Sequence, residues 1–397
     1  MKFINKIFIV MSLSATLSCN EESHQIKEGT FGYDVDFLSQ YQNTIVLENN
    51  NGKSKVAVVP AYQGRILTSS ASGNQGNSYG WLNYDAISSD KIEEKINIYG
   101  GEDRFWLGPE GGQYSIFFDP KTEFTFDNWR TPKEIDTDVF EVVEKSKNKA
   151  VFQKEMQLTN YSGFPFHILV NRAVKVFDQA EIEKNLSLNL NDLSVDYVGF
   201  ESINEIKNIG KKAWNKETGL LSIWILGMLN PTKETVVMVP YKSQADYQSY
   251  FGDIPTENIK VKDQLILFKA DGTHRSKIGL APQNTVPLLG SYDAEKEVLT
   301  VVQFSFNNDQ DYVNSMWELQ ENPYKGDAVN TYNDGPLENG DQLGPFYELE
   351  SSSPAKELSI NESIVHEHIT YHFEGNKEDL NKISLRLFKT DLESIKL

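Results

Sequence analysis

The chain has 397 residues, 39% of them apolar, with 57 acidic against 38 basic side chains and a formal charge of −19. That balance excludes nucleic acid as a partner, because a phosphate backbone needs a clustered basic surface. A single cysteine, Cys19, excludes an internal disulfide.

At the N-terminus, Lys2 and Lys6 flank the start of an apolar run from Ile7 to Leu17, which ends at Ser18 and Cys19. The run is too short to span a bilayer and has the layout of a secretory signal, so residues 1–18 are expected to be a signal peptide. A lone thiol directly after Thr16, Leu17 and Ser18 looks like a bacterial lipobox, whose cysteine becomes lipid-modified and N-terminal after cleavage. Residues 19–39 then read as a lipidated terminus and polar spacer, and residues 40–397 as one β domain. No later apolar run approaches membrane length, so the membrane is expected to be reached through the lipid anchor only.

From residue 43 onward, short β-branched and aromatic runs recur between Gly, Asn, Asp and Pro, which is the signature of strands. The first two, in "IVLENNNGKSKVAVV" (45–59), flank an Asn-Gly turn and predict a hairpin. Next comes "GGEDRFWLGPEGG", Gly100 to Gly112, which reads as a long loop feeding the strand "YSIFF" (114–118). Two readings stand for it. As a binding loop on a rigid scaffold it offers Glu102, Asp103, Arg104, Trp106 and Glu110 to a ligand; otherwise Trp106 packs in the core and Arg104 pairs with a neighbouring carboxylate.

Strands continue through "FEVVEKS", "AVFQKEMQL", "HILVNRAVKVF", "LSIWIL", "TVVMVP", "QLILFKA" and "LTVVQFSF", with helical pattern confined to short pieces such as Asp311 to Leu319. In "GPFYELESSSPAKEL", strand alternation puts Phe346, Glu348 and Glu350 on one face and Tyr347 and Leu349 on the other. Two carboxylates along one face are a candidate general base with a tuned neighbour, or simply a solvated strand face. In "HEHITYHFEG", His366, His368 and His372 share a face with Thr370, and the chain has only six histidines in all. Such a trio can contact a sugar or move protons, hold a metal through His366 and His368 with a third ligand, or lie on an exposed strand. "ISLRLFK", near the C-terminus, reads as the last strand.

No period of 20 to 50 residues appears, which removes propellers and solenoids. No GxSxG elbow, HExxH helix, Walker loop or dinucleotide fingerprint is present. No cofactor and no metal is therefore expected. The predicted fold is mainly β, one large antiparallel β-sandwich with few short helices.

"SKVAVVPAYQGRILTSSASGNQGNSYGWLN", Ser54 to Asn83, resembles the opening of galactose mutarotase-like (aldose 1-epimerase-like) proteins, in which a strand enters a Gly-Arg-Ile turn. "GGEDRFWLGPEGG" falls where those relatives carry a Gly-rich, Arg-containing loop, and "YELESSSPA" where they carry a late strand with a catalytic glutamate. Together with the lipobox, the chain is similar to a lipoprotein family of Bacteroidota within that superfamily. The resemblance covers roughly residues 40 to 390. It implies a supersandwich fold, a carbohydrate ligand and an aldose epimerase-like acid–base reaction as the further expectation. In that scheme a glutamate takes the proton of the anomeric hydroxyl while a histidine protonates the ring oxygen.

The resemblance assigns Glu350 as the base, with Glu348 the other choice, and Arg104 as the sugar-binding arginine. The two histidine motifs of mutarotases are missing here, and His167 and His274 lie in different local sequence. The acid is sought in the late strand, at His368, with His366 and His372 beside the sugar. By the same resemblance, Glu21 and Glu22 after Cys19 suggest an exported lipoprotein of the outer membrane of a Gram-negative bacterium, facing the periplasm or the outside. A non-catalytic structural or assembly component of the envelope is the other reading.

Overall fold

The computed structural model describes residues 27–89, 91–337 and 340–397. The expected signal peptide and Cys19 lie outside the described residues.

Nineteen strands and four short helices are described. Helix α1 (Phe31–Tyr41) precedes a three-stranded meander of β1 (Ile45–Glu48), β2 (Lys55–Val59) and β3 (Arg65–Ser70). The predicted hairpin is present, with Ile45 opposite Val58 and Gly52 at positive φ in the turn. Helix α2 (Tyr84–Ser88) follows, then β4 (Arg104–Gly108).

Two large antiparallel sheets form the body. One end of the ten-stranded sheet is β5 (Glu141–Lys145), β6 (Lys149–Thr159), β7 (Pro165–Val176) and β8 (Val195–Asn208). It continues through β19 (Ser363–Gly375), β16 (Val298–Phe304), β15 (Leu288–Asp293) and β10 (Thr235–Pro240) to β13 (Leu265–Lys269) and β12 (Ile259–Lys262). The six-stranded sheet runs β11 (Gln248–Ser249), β14 (Ser276–Leu280), β17 (Val329–Asn333), β18 (Tyr347–Ser352), β9 (Ser222–Leu229), β4.

The sheets face each other across a core that follows directly from strand alternation. Phe105 and Leu107 of β4 and Ile223 and Ile225 of β9 meet Phe152, Ile168 and Phe200 of the larger sheet. At the other end Leu349 and Tyr347 of β18 meet Val237, Phe268 and Val302. The outer face of the larger sheet is covered by α3 (Gln179–Leu186) and α4 (Lys377–Leu387), which bury Ile182, Leu380 and Ile383 against Leu299, Tyr371 and Phe373. The architecture is thus the large antiparallel β-sandwich with few short helices that the sequence led us to expect. Among the described residues no helix is long and apolar enough to cross a membrane.

Five local expectations are corrected. Residues 31–39 are part of a helix and not of a spacer: Thr30 caps α1, and Phe31 and Leu38 are fully buried against Ala57, Val59 and Leu67. Arg104–Gly108 is a strand, because Phe105 and Leu107 have a core to enter. Residues 114–118 are turns, and the predicted helical piece from Asp311 to Leu319 is irregular. "ISLRLFK" is largely helical: Asn376 caps α4 by accepting from the Asp379 N–H, and Leu380, Ile383 and Ser384 fall on one buried stripe.

Candidate functional site

Among the described residues, no helix covers the outer face of the six-stranded sheet. A cavity of about 410 Å³ opens there instead. Its floor is the alternate set of residues on the same strands whose other set makes the core. From β4 come Arg104 and Trp106, from β9 Trp224, Leu226 and Met228, from β18 Glu348, from β17 Asn330 and Tyr332, and from β14 Lys277.

Register fixes how these side chains meet. Arg104 lies opposite Leu226, which lies opposite Glu350, and Trp106 lies opposite Trp224. Glu350 is fully buried at the base of the floor, where its Oε2 accepts from Trp224 Nε1 at 2.9 Å and from Lys277 Nζ at 2.8 Å. Lys277 also lies over the Trp224 ring, 4.8 Å from its centroid. The Arg104 guanidinium stacks over Trp106 at 3.8 Å.

The walls are two segments without strand or helix, 109–132 and 305–328, which contribute Glu110, Phe126 and Trp129 from one and Ser315 and Trp317 from the other. They are stapled together by the Gln113 side-chain amide, whose Nε2 donates to the Gln320 carbonyl and whose Oε1 accepts from the Gln320 N–H, both at 2.9 Å. The glycines of the Gly100–Gly112 stretch serve this construction. A Cβ at Gly111 would lie 2.4 Å from the Met316 carbonyl oxygen, and Gly100, at φ +87, would place one 2.0 Å from that of Trp81. Only glycine lets the backbones cross so closely.

Electrostatics set the protonation of the carboxyls. Burial, and then the neighbouring Glu350, push Glu348 up to about 8, against the pull of Arg104 and Lys277. Burial raises Glu110 to about 7, and Asp327, held by the Tyr250 hydroxyl at 2.6 Å, to about 6. Burial alone would lower Lys277, but Glu350, Glu110 and Glu348 around it leave it raised and cationic. Glu348 is therefore largely a neutral acid at pH 7.

Several polar groups here have no protein partner although they are buried: Arg104 Nε, Trp106 Nε1 and Glu350 Oε1. Buried donors and acceptors are normally satisfied, so such a cluster beside a cavity indicates groups kept for a ligand or solvent.

The sequence-predicted residues divide into two sets. Arg104, Trp106, Glu110 and Glu348 line the cavity, with Glu350 beneath it. The other five lie elsewhere. Glu102 and Asp103 point between the sheets, Glu102 toward Ser69 and His372 (Nε2 to Oε2, 2.8 Å), and Asp103 toward Arg172 at 2.6 Å with both side chains fully buried. His366, His368 and His372 do share one face, as alternation predicts, but that face is the inner one. Ser351 Oγ sits 2.8 Å from both His366 Nε2 and His368 Nδ1, and Thr300 Oγ1 2.9 Å from His372 Nδ1. Burial pushes His366 down to about 3 and His368 to about 4, so both are neutral and sealed from the cavity. The expectation that His368 supplies the acid, with His366 and His372 beside the sugar, is corrected accordingly. Among the described residues no group of three His, Cys, Asp or Glu is placed to hold a metal.

Sequence reasoning missed Trp224, Tyr250, Lys277 and Asp327. For Lys277 a signal existed: Arg275 and Lys277 stand two apart in a strand-like run of an acidic chain. Trp224 gave none, because β9 is buried on both faces.

A family model described as a family of unknown function, DUF6786, matches residues 29–397. No curated protein matches the chain. Among solved structures, the chain is similar to the Slr1438 protein of Synechocystis sp. PCC 6803, at 12% identity over 84% of this chain and 96% of that one, with a TM-score of 0.50. It is also similar to a galactose mutarotase-like protein from Lactobacillus casei ATCC 334 (11% identity, 84% and 99% covered, TM-score 0.45). A galactose mutarotase related enzyme from Lactobacillus acidophilus is a further match (11%, 85% and 99%, TM-score 0.45). At such identities the likeness to the Synechocystis protein is one of fold alone.

Proposed function

We propose, for a chain that belongs to the DUF6786 family of unknown function, that the cavity over the six-stranded sheet binds carbohydrate and exchanges protons with it through Glu348. One observation carries this reading: an unpartnered guanidinium nitrogen, an unpartnered indole N–H and a protonated carboxyl converge on a cavity walled by aromatic rings. Sugar rings present apolar faces that stack on aromatics and hydroxyls that need both donors and acceptors. The resemblance of residues 54–83 and 347–355 to galactose mutarotase-like proteins supports the same ligand class.

The chemistry follows from the carboxyls and not from a histidine. Interconversion of anomers needs one group to take the proton of the anomeric hydroxyl and another to give a proton to the ring oxygen. Glu348, protonated near neutrality, is the donor. Glu110, from a separate element, is near half-ionised at pH 7 and is the acceptor: as both transfers occur, the bond between the anomeric carbon and the ring oxygen breaks to give the open-chain aldehyde, and ring closure on the other face of the carbonyl reverses both transfers, restoring each carboxyl so that no proton is consumed. Arg104 bonds a sugar hydroxyl and stabilises the negative charge that develops on oxygen. Carried on a lipid at Cys19, the cavity would serve the envelope of a Gram-negative bacterium.

Tryptophan fluorescence across a panel of mono- and oligosaccharides tests the binding, since Trp106, Trp129, Trp224 and Trp317 all line the cavity. Saturable quenching that Arg104→Gln weakens is the expected result. Absence of binding by every sugar in the panel overturns the proposal. Polarimetry on the sugars that bind tests the proton exchange, and an unchanged rate of anomer interconversion would leave binding without catalysis.

A further inference from the structure

The cavity is longer than one sugar. Trp106 and Tyr332 both line it, on β4 and β17. Between them lie β9 and β18, hence three inter-strand spacings, and Trp106 aligns through Trp224 with Ser352 whereas Tyr332 aligns with Glu348, four residues along. At ~4.8 Å per spacing and ~3.3 Å per residue the two positions are roughly 20 Å apart on the sheet. A ring stacked on an aromatic side chain has its centre within about 4.5–7 Å of it. One pyranose cannot serve both.

Each end carries its own aromatic station. At the first, Trp106 is flanked by Trp129, and Phe126 stacks on Trp129 with centroids 6.0 Å apart. At the second, Phe251 lies 5.9 Å from Tyr332, which lies 6.0 Å from Phe346. Phe126 and Phe251 are 53% and 54% exposed, so each end places a large ring at the mouth in contact with water. The polar groups, Arg104, Glu348 and the Glu350–Lys277 pair, occupy the floor between the stations.

Volume agrees with length. A water molecule needs about 10–15 Å³ of such space, so the 410 Å³ of the cavity has room for on the order of thirty water-sized atoms. A hexose has only about a dozen non-hydrogen atoms, held closer together than waters are.

Resting on the carbohydrate reading, we infer that the ligand is a saccharide chain of two to three units, one end against the exposed ring of Phe126 and the other against that of Phe251, with Arg104 and Glu348 addressing the unit between. Phe251 and Phe126 select for chain length, and the floor residues select for the sugar.

Calorimetry on the full chain with gluco-, galacto-, manno- and xylo-oligosaccharides of one to four units tests this. In whichever series binds, affinity is expected to rise at least about tenfold from one unit to three and then to level off, the order of gain that one added aromatic contact supplies. Phe251→Ala and Phe126→Ala, both at exposed positions, are expected to keep the fold, read by circular dichroism, while each removes part of the gain from one unit to three. Equal affinity for one and three units, or a gain untouched by both substitutions, overturns this inference and leaves the carbohydrate reading standing. Failure of every series at every length overturns both.

Discussion

Trp106 illustrates how a residue's role depends on what lies behind it. Its sequence neighbourhood suggests a surface for a sugar, yet it is 3% exposed and wedged among Phe117, Trp129 and Trp224. Trp106→Ala is therefore expected to cost about 3–5 kcal/mol of stability, as large-to-small core substitutions do, in urea denaturation. Arg104→Gln is the sharper probe. Arg104 makes no hydrogen bond with the protein through Nε, so its loss should leave the melting temperature within a few degrees while weakening sugar binding by roughly 10- to 100-fold, the worth of a charged hydrogen bond.

Glu348 gives the pH prediction. Its folded value of about 8 is above the ordinary carboxylate value, so the native state holds a proton the unfolded chain releases. The stabilisation is complete below about pH 4.5, the ordinary range, and is lost as pH rises through 8. Melting temperature should fall between pH 6 and 9, and the fall should be smaller in Glu348→Gln. Glu110 and Asp327, raised to about 7 and 6, act in the same direction and should leave a residual slope from pH 5 to 7 in that variant. A wild-type melting temperature that rises over pH 6 to 9 would contradict the assignment.

At the scale of elements, alternation was legible and its direction was not. The run from His366 to His372 does place its histidines on one face, and β18 does separate Glu348 from Leu349. Which face meets solvent depends on the layer stacked against it, and no spacing within β19 records that β18 and β4 lie across the core. β4 was hidden for another reason. The glycines on either side of it resemble loop signals, although they permit backbone crossings. α4 was misread because "ISLRLFK" alternates locally, while its helix signals, Asn376 as cap and the 380–383–384 stripe, lie mostly before it. The interior polar layer makes its own prediction. Arg172 is fully buried and bonds Asp103, Asn204 and the Gly64 carbonyl. Arg172→Ala leaves the Asp103 carboxylate unpaired and should destabilise by about 3–5 kcal/mol in chemical denaturation, the cost of breaking a buried pair from one side.

For the molecule as a whole, the recurring β-branched and aromatic runs indicated a large β-sandwich correctly, and the N-terminal boundary placed at residue 40 cuts a helix that the core needs. Fully burying a Phe or Leu contributes about 1.5–3 kcal/mol each, so a chain beginning at residue 42 should be less stable than one beginning at residue 27 by roughly 3–6 kcal/mol from Phe31 and Leu38 alone. Thermal melts of the two chains, read by circular dichroism, measure the difference. The site was legible in outline because charged and aromatic residues within a few positions of one another, as in Gly100 to Gly112, are unusual in any strand or turn. Its remainder came from β9, β14 and β17, far away in sequence, and only the order of strands in the sheet assembles them.

The contrast between a strand floor and two stapled walls separates two kinds of evolutionary change. Every floor strand is tied to the core by the residues of its opposite face, so an insertion or deletion within one shifts core positions as well as floor positions. In the walls Phe117, Phe118 and Trp129 are tied to the core in the same way, but residues 119–127 and 307–310 are mostly exposed and tolerate insertions and replacements as surface loops do. Relatives with other ligand preferences are thus expected to differ in these walls first, and a redesign toward a new glycan has a natural place to begin.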